Sequence, residues 1–134
     1  MKLFLLVMSL VGAQIVGRGT QTTARVLTLR DVEASVRAVG FTYIVLPGTS
    51  IVEAGPGASI AAFIRVFPSA YAIAHSPAIA SAERDFPRAH SRDIKVCNVW
   101  VSPYTYWGFG VDKPPVYTAV RAAQRIAAQL RRRC

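Results

Sequence analysis

Hydrophobic residues recur at helical spacing in two parts of the chain. The first apolar face consists of Leu29, Val32, Val36 and Val39. At its start Thr28 precedes Asp31 by three residues, which is the spacing of a capping box. Gly40 follows its end and suits the left-handed backbone that is common just past a helix. This pattern predicts an amphipathic helix between Thr28 and Gly40.

The second helical pattern lies at the C-terminal end of the chain. Pro114 and Pro115 precede it, at positions where a missing backbone donor costs nothing. Its apolar stripe consists of Val116, Val120, Ala123, Ala127 and Leu130. The stripe predicts a last helix that packs against the domain by one face.

Strand-like runs lie between these helices. Residues 41–46, 60–67 and 94–101 are rich in β-branched and aromatic residues, and residues 25–27 form a fourth, shorter candidate. After the run 60–67, Ser69 is suited to cap the start of a second helix. Pro77 predicts a kink or break in that helix because proline lacks a backbone donor.

The order of predicted elements is short strand, helix, strand, strand, helix, strand and helix. Helices packed on one sheet in this order are typical of an α+β domain. We therefore predict a single domain over residues 25–134, a ferredoxin-like βαββαβ sandwich with an extra C-terminal helix.

An apolar segment opens the chain. Lys2 precedes an apolar run that ends at small residues, with Ala13 before the predicted cleavage site. The run is shorter than the about 20 residues of a membrane span. We predict a signal peptide over residues 1–13, a flexible leader over 14–24 and no membrane span in the mature chain. The alternative is that the run belongs to the folded core.

The composition favours a packed, basic protein. Hydrophobic residues make up 52% of the 134 residues and charged residues 17%, which excludes a disordered chain. Lys and Arg number 16 against 7 Asp and Glu, a net charge of +9. This excess predicts attraction to polyanions. For a secreted or cell-envelope protein the expected partners are an anionic polymer or another envelope protein, and not nucleic acid.

The two cysteines leave two alternatives open. An exported chain can keep a disulfide, so Cys97 and Cys134 can form an internal bridge. Alternatively, Cys97 is a small buried hydrophobe and Cys134 a free or intermolecular thiol.

Residues with catalytic or metal-binding chemistry are sparse. His75 and His90 are not matched with enough acids or cysteines for a zinc site, which needs about four ligands, and no phosphate-binding motif occurs. Ser69 is explained by helix capping and Glu53 by a strand end. We predict no metal, no cofactor and no catalytic residues. The alternative is a small secreted hydrolase-like enzyme, which a pocket joining Glu53 or a histidine to Ser69 or Asn98 would favour.

Asn98 interrupts an apolar run and is the single asparagine of the chain. A buried amide without hydrogen-bond partners costs about 1–3 kcal/mol. The favoured interpretation is a side chain that holds a neighbouring loop or bulge. The alternative is a ligand contact in the sheet.

An aromatic stretch, SPYTYWGFG, covers residues 102–110. It is interpreted either as a flap that closes one end of the core or as an exposed contact patch, with Trp107 the most exposed ring. The predicted binding residues are Tyr104, Tyr106, Trp107, Phe109, Arg131, Arg132 and Arg133.

Several short features occur together: the opening apolar segment, the helix start at residues 28–32, the segments 67–70 and 95–99, and an alanine-rich last helix. In these features, which cover most of residues 27–130, the chain resembles small uncharacterised exported proteins of high-GC Gram-positive bacteria. The resemblance implies export and an α+β module, and it implies no particular activity. The sequence thus predicts an exported, non-catalytic module that binds a partner.

Intact-mass analysis of the protein secreted by an expression host should show a chain that begins at Gln14. Cleavage after Ala13 removes the opening segment together with Lys2, which leaves 15 basic against 7 acidic residues and a net charge of +8. Alkylation before the measurement decides between a disulfide and free thiols. A chain that retains Met1 would contradict the prediction of a signal peptide.

Overall fold

A computed structural model of the chain describes residues 25–104 and 116–134. The elements in chain order are helix α1 (Leu29–Ala38), strands β1 (Thr42–Val45), β2 (Ile51–Gly55) and β3 (Ala62–Val66), helices α2 (Ala70–Ala74) and α3 (Pro77–Asp85), strands β4 (Ile94–Val96) and β5 (Val99–Pro103), and helix α4 (Val116–Arg131). The predicted α+β class is confirmed.

The strands form one sheet in the order β1-β2-β3-β5-β4, and each neighbouring pair is antiparallel. The predicted ferredoxin-like order is not confirmed, for two local reasons. Residues 25–27 lie outside any strand. The run 94–101, predicted as one strand, reverses at Cys97 and Asn98, so it supplies a hairpin of two strands instead.

One face of the sheet carries the main core. Helices α1 and α4 pack against it, and Val32, Val36, Ala123, Ala127 and Leu130 of the predicted stripes lie in this core. The buried core residues from the two helices are Val32, Val36, Ala123, Ile126, Ala127 and Leu130, and those from the strands are Val52, Ala54, Ala62, Ile64, Val96, Val99 and Val101. The alternation of side chains along each strand leaves the opposite face of the sheet for other contacts.

The start and end of α1 follow the local signals in the sequence. Thr28 and Asp31 form the predicted capping box, and Gly40 has a positive φ of 80°. Arg25 also contacts Asp31, with Nη2 and Oδ1 2.8 Å apart. This hydrogen bond with Arg25, together with those from Thr28, lowers the pKa of Asp31 to about 2.

The predicted break at Pro77 separates α2 from α3. The Ser69 hydroxyl accepts a hydrogen bond from the Ala72 amide and caps α2. Ser76 caps α3 in the same way, and Pro77 occupies its first turn, where no backbone donor is needed. A second, smaller cluster of Phe67, Ile73 and Ile79 packs beside Trp100.

Asn98 joins three separate parts of the chain through the hydrogen bonds that we call the Asn98 clamp. Its side-chain oxygen accepts from the Leu27 amide at 2.8 Å, and its Nδ2 donates to the Leu27 and Phe67 carbonyls at 2.8 and 2.7 Å. Its carbonyl accepts from the Phe67 amide at 2.8 Å. Asn98 is 1% exposed, so the interpretation of Asn98 as a holding residue is confirmed.

A disulfide joins Cys97 to Cys134, with the Cα atoms 6.7 Å apart. Of the two alternatives for the cysteines, the structure contains the internal bridge. Cys97 is the first residue of the two-residue turn between β4 and β5 and has a φ of 55°. Such a turn requires a left-handed backbone conformation, which residues other than glycine uncommonly adopt. The bridge therefore links a strained turn to the end of the chain beyond α4.

Replacing Asn98 with Ala should lower the free energy of unfolding by about 3 kcal/mol, because the buried amide and carbonyl of Leu27 and the carbonyl of Phe67 lose their side-chain partner. The exposed amide of Gln124 on α4 offers a matched control, and Gln124→Ala should cost less than about 0.5 kcal/mol. Urea denaturation of the oxidised protein measures both. A similar loss of unfolding free energy in the two variants would contradict the proposed contribution of the Asn98 clamp to stability.

Candidate functional site

An apolar cleft of about 400 Å³ lies on the sheet face opposite α1 and α4. Its described lining residues are Leu46, Ile51, Phe63, Ile64, Arg65, Ala82, His90, Trp100 and Ser102. We call this space the apolar cleft. Its volume falls in the range of small-molecule sites, which are about 300–1,000 Å³.

Strand alternation and a helix break together produce the apolar cleft. Phe63 and Arg65 alternate with buried core residues along β3, and Trp100 pairs with Arg65 across the β3–β5 ladder. Helix α3 supplies Ala82, and the segment between α3 and β4 supplies His90. The strand face that Phe63 and Arg65 share is thus one wall of a space rather than a filled core.

A buried carboxylate organises the polar wall of the apolar cleft. The Asp93 carboxylate accepts hydrogen bonds from Ser102 Oγ at 2.7 Å and from Trp100 Nε1 at 2.8 Å. His90 Nδ1 lies 2.8 Å from Oδ2, the carboxylate oxygen that also accepts from Trp100. A carboxylate can only accept, so this ring nitrogen carries the hydrogen. The side chains of His90 and Asp93 are 5% and 3% exposed. We call these four residues the Asp93 network.

The Asp93 network does not have the geometry of a serine nucleophile with its base. Ser102 Oγ donates its hydrogen to Asp93, and it lies 3.4 Å from His90 Nδ1, the same nitrogen that contacts Asp93. In a catalytic triad the serine contacts the other ring nitrogen, which is free to accept the proton. The arrangement therefore fixes Trp100 and Ser102 in the wall of the apolar cleft and does not activate the hydroxyl.

Arg65 is the single permanently charged residue among the described residues that line the apolar cleft. It is half-buried, and its cross-strand neighbours are Ile51 and Trp100. Its guanidinium carbon lies 4.8 Å from the centroid of the Phe67 ring. Over the described ranges 25–104 and 116–134, no ion pair involves Arg65. The apolar cleft thus holds a positive charge without an acidic partner from the described chain.

The predicted aromatic binding residues are described only in part. Tyr104 is half-buried and meets the Phe63 ring edge to face, with centroids 5.0 Å apart and planes at 80°. The first ring of the aromatic stretch therefore packs beside a residue that lines the apolar cleft. Tyr106, Trp107 and Phe109 lie outside the described residues.

The predicted basic binding residues at the end of α4 differ in their surroundings. Arg131 and Arg132 are exposed. Arg133 instead donates from Nε to the Ser35 hydroxyl at 3.0 Å, and its carbonyl accepts from Arg25 Nε at 3.1 Å. Arg133 therefore links α4 to α1, and the exposed charge available to a partner is that of Arg131 and Arg132.

The residues considered for catalysis are not brought together. Ser69 caps α2, Asn98 forms the clamp, and Glu53 lines a separate cavity between β1 and β2. His75 is exposed and stacks on Tyr71 with ring centroids 4.0 Å apart. None of the four main cavities along the described residues joins Glu53 or a histidine to Ser69 or Asn98.

Sequence reasoning missed Asp93 and its two partners on β5. Asp93 follows His90 by three residues, and Trp100 and Ser102 alternate along a strand-like run, so a weak signal was present. This spacing does not predict a contact between the residues unless the segment 86–93 is known to fold against that strand. The distances of the Asp93 network supply that information.

Comparison of the chain with protein-family models, with curated proteins and with solved structures finds no match. Within residues 25–104 and 116–134, no group of three or more His, Cys, Asp or Glu side chains is placed to hold a metal ion. None of the helices in the described part of the chain is long and apolar enough to cross a bilayer.

Removal of the Asp93 carboxylate should cost more stability than removal of the Ser102 hydroxyl that donates to it. Asp93→Ala leaves three buried donors without an acceptor and should lower the free energy of unfolding by about 3 kcal/mol, whereas Ser102→Ala removes one hydrogen bond and should cost about 1 kcal/mol. Chemical denaturation measures both, and the indole N–H resonance of Trp100 should move upfield only in Asp93→Ala. Equal costs would mean that Asp93 does not hold the wall together.

Proposed function

We propose that this chain is an exported, non-catalytic binding module that acts in the cell envelope or outside the cell, and that the apolar cleft is its binding site. The observation that carries the proposal is a concave space of about 400 Å³ with apolar walls and a few fixed polar groups. Small-molecule sites have this combination of shape and chemistry.

The Asp93 network supports a binding role over a catalytic one. The Ser102 hydrogen is directed to Asp93, and the His90 nitrogen nearest to Ser102 is already bonded to the same carboxylate. A general base needs an unprotonated atom within reach of the proton that it removes. The network instead gives the apolar cleft a rigid wall, which reduces the entropy cost of binding.

Two features support export. The opening segment has the three parts of a signal peptide. The bridge between Cys97 and Cys134 is of a kind that persists in oxidising compartments outside the cytosol. The resemblance to small exported proteins points in the same direction.

The basic surface supports a second contact, with an anionic envelope polymer or another envelope protein. Arg131 and Arg132 are exposed at the C-terminal end of α4, and the whole chain carries a net charge of +9. An excess of positive charge attracts polyanions over distances of about a Debye length. The rings of Tyr106, Trp107 and Phe109 remain predicted contact residues.

The alternative is a small secreted hydrolase-like enzyme. This alternative is supported by the contacts among His90, Asp93 and Ser102 at the wall of the apolar cleft. It requires Ser102 to exchange its hydrogen bond from Asp93 to a histidine nitrogen during the reaction.

Filling the apolar cleft should abolish binding of an apolar probe. Ala82 lines the cleft, and Ala80 on the same helix is exposed. Wild-type protein should therefore bind the dye 1-anilinonaphthalene-8-sulfonate, and Ala80→Phe should leave its affinity unchanged. Ala82→Phe should weaken it at least ~10-fold, because the new ring occupies the space. Fluorescence titration gives the affinities, and circular dichroism verifies that both variants are folded.

Dye affinity that is the same in Ala82→Phe and wild type would overturn the assignment of the apolar cleft as the binding site. Hydrolysis of p-nitrophenyl butyrate by wild type, lost in folded Ser102→Ala, would favour the enzyme alternative.

A further inference from the structure

The charge of Arg65 identifies the class of ligand that fits the apolar cleft. Arg65 is half-buried, and a cation that burial partly dehydrates is stabilised by an opposite charge. Its nearest described partner is the Phe67 ring, which offers only a weak electrostatic attraction. An anion supplied by a ligand would complete the surroundings of Arg65.

Lys95, a second cation on this face of the sheet, is paired with an acid. Lys95 sits beside Trp100 on the β4–β5 ladder, and its Nζ lies 3.4 Å from Glu83 Oε2. Asp93 is 3% exposed behind the donors of its network. Glu53 pairs with Phe63 across the β2–β3 ladder and lines the separate cavity instead. The apolar cleft therefore presents one positive charge and no exposed negative charge from its described lining residues.

We infer that the apolar cleft binds a single-chain amphiphile that carries one carboxylate, with the carboxylate on Arg65 and the apolar chain against Leu46, Ile51 and Phe63. This inference rests on the proposed function, because it names the ligand class of the same cleft. A guanidinium forms two parallel hydrogen bonds with a carboxylate. One cation matches one negative charge, whereas a phosphate dianion needs additional donors.

The chemistry of the remaining wall agrees with an apolar chain as the rest of the ligand. Leu46, Ile51, Phe63 and Ala82 offer no hydrogen-bonding side chain. Among the described lining side chains, the hydrogen-bonding groups other than Arg65 belong to His90, Trp100 and Ser102, and each of these contacts Asp93. A ligand with many hydroxyl groups would find few fixed partners along this surface.

The test compares decanoate with decanol, which differ in the charged group and share the apolar chain. Both are titrated below the concentration at which they self-associate, with ¹⁵N NMR shifts of the Ala82 amide and the Trp100 indole as the measure. Wild type should bind decanoate at least ~10-fold more tightly than decanol, as expected for charge-assisted hydrogen bonds. Arg65→Met keeps the apolar stem and should reduce this preference to less than ~2-fold.

Two further variants sharpen the comparison. Arg65→Lys retains the charge without the two-pronged donor and should give an intermediate preference. Arg30 is exposed on α1, which packs on the opposite face of the sheet, and Arg30→Met should keep the full preference for decanoate.

Each outcome decides one point. Equal affinity of wild type for decanoate and decanol overturns the inference and leaves the apolar cleft as a binding site. Tighter binding of decyl phosphate than of decanoate assigns a phosphate and also overturns it. If neither chain binds while the dye still binds in an Ala82-sensitive manner, the inference fails and the proposed function stands. If no probe binds, both fail. If Arg65→Met does not fold, the wild-type comparison decides alone.

Discussion

The Asn98 clamp is the interaction on which the arrangement of this domain depends. One buried amide binds the backbone of Leu27, ahead of α1, and of Phe67, just past β3, while the same residue forms the turn between β4 and β5. Polar groups of the backbone that are buried without partners cost about as much as a lost hydrogen bond each. The clamp removes that cost at a point where three segments meet. The Cys97–Cys134 bridge adds a covalent link from the neighbouring residue to the chain beyond α4.

The position of the β4–β5 hairpin in turn determines the apolar cleft. With the turn held, β5 pairs with β3, and Trp100 and Ser102 face the segment that carries His90 and Asp93. The break between α2 and α3 limits how much of this sheet face the two short helices cover. The space that remains is the apolar cleft, and it contains Arg65 because strand alternation places that residue on the same face.

The proposed binding role is based on a rigid wall, an apolar surface and one cation without an acidic partner among the described residues. The Asp93 carboxylate accepts hydrogen bonds from Ser102 and His90, and such a buried network stabilises a single geometry. Arg65 differs because no ion pair among the described residues involves it, and its described neighbours include the Ile51 side chain and the rings of Phe67 and Trp100. The proposed carboxylate ligand brings to Arg65 the partner that the described fold does not supply. Binding and stability would then be linked, since a ligand that binds only the native state stabilises it.

The sequence alone determined the features that depend on near neighbours. The Thr28–Asp31 capping box, the left-handed Gly40, the Ser69 cap and the break at Pro77 were all predicted and are confirmed, because each depends on residues within a few positions. The holding role of Asn98 was predicted from its single occurrence in an apolar run, but its partners, 71 and 31 residues away, were not. Only the tertiary structure decided that residues 94–101 reverse at Cys97, that Cys97 meets Cys134 and that Arg65 lines a cleft. Those outcomes depend on which distant segments pack together, and local periodicity carries no information about that choice.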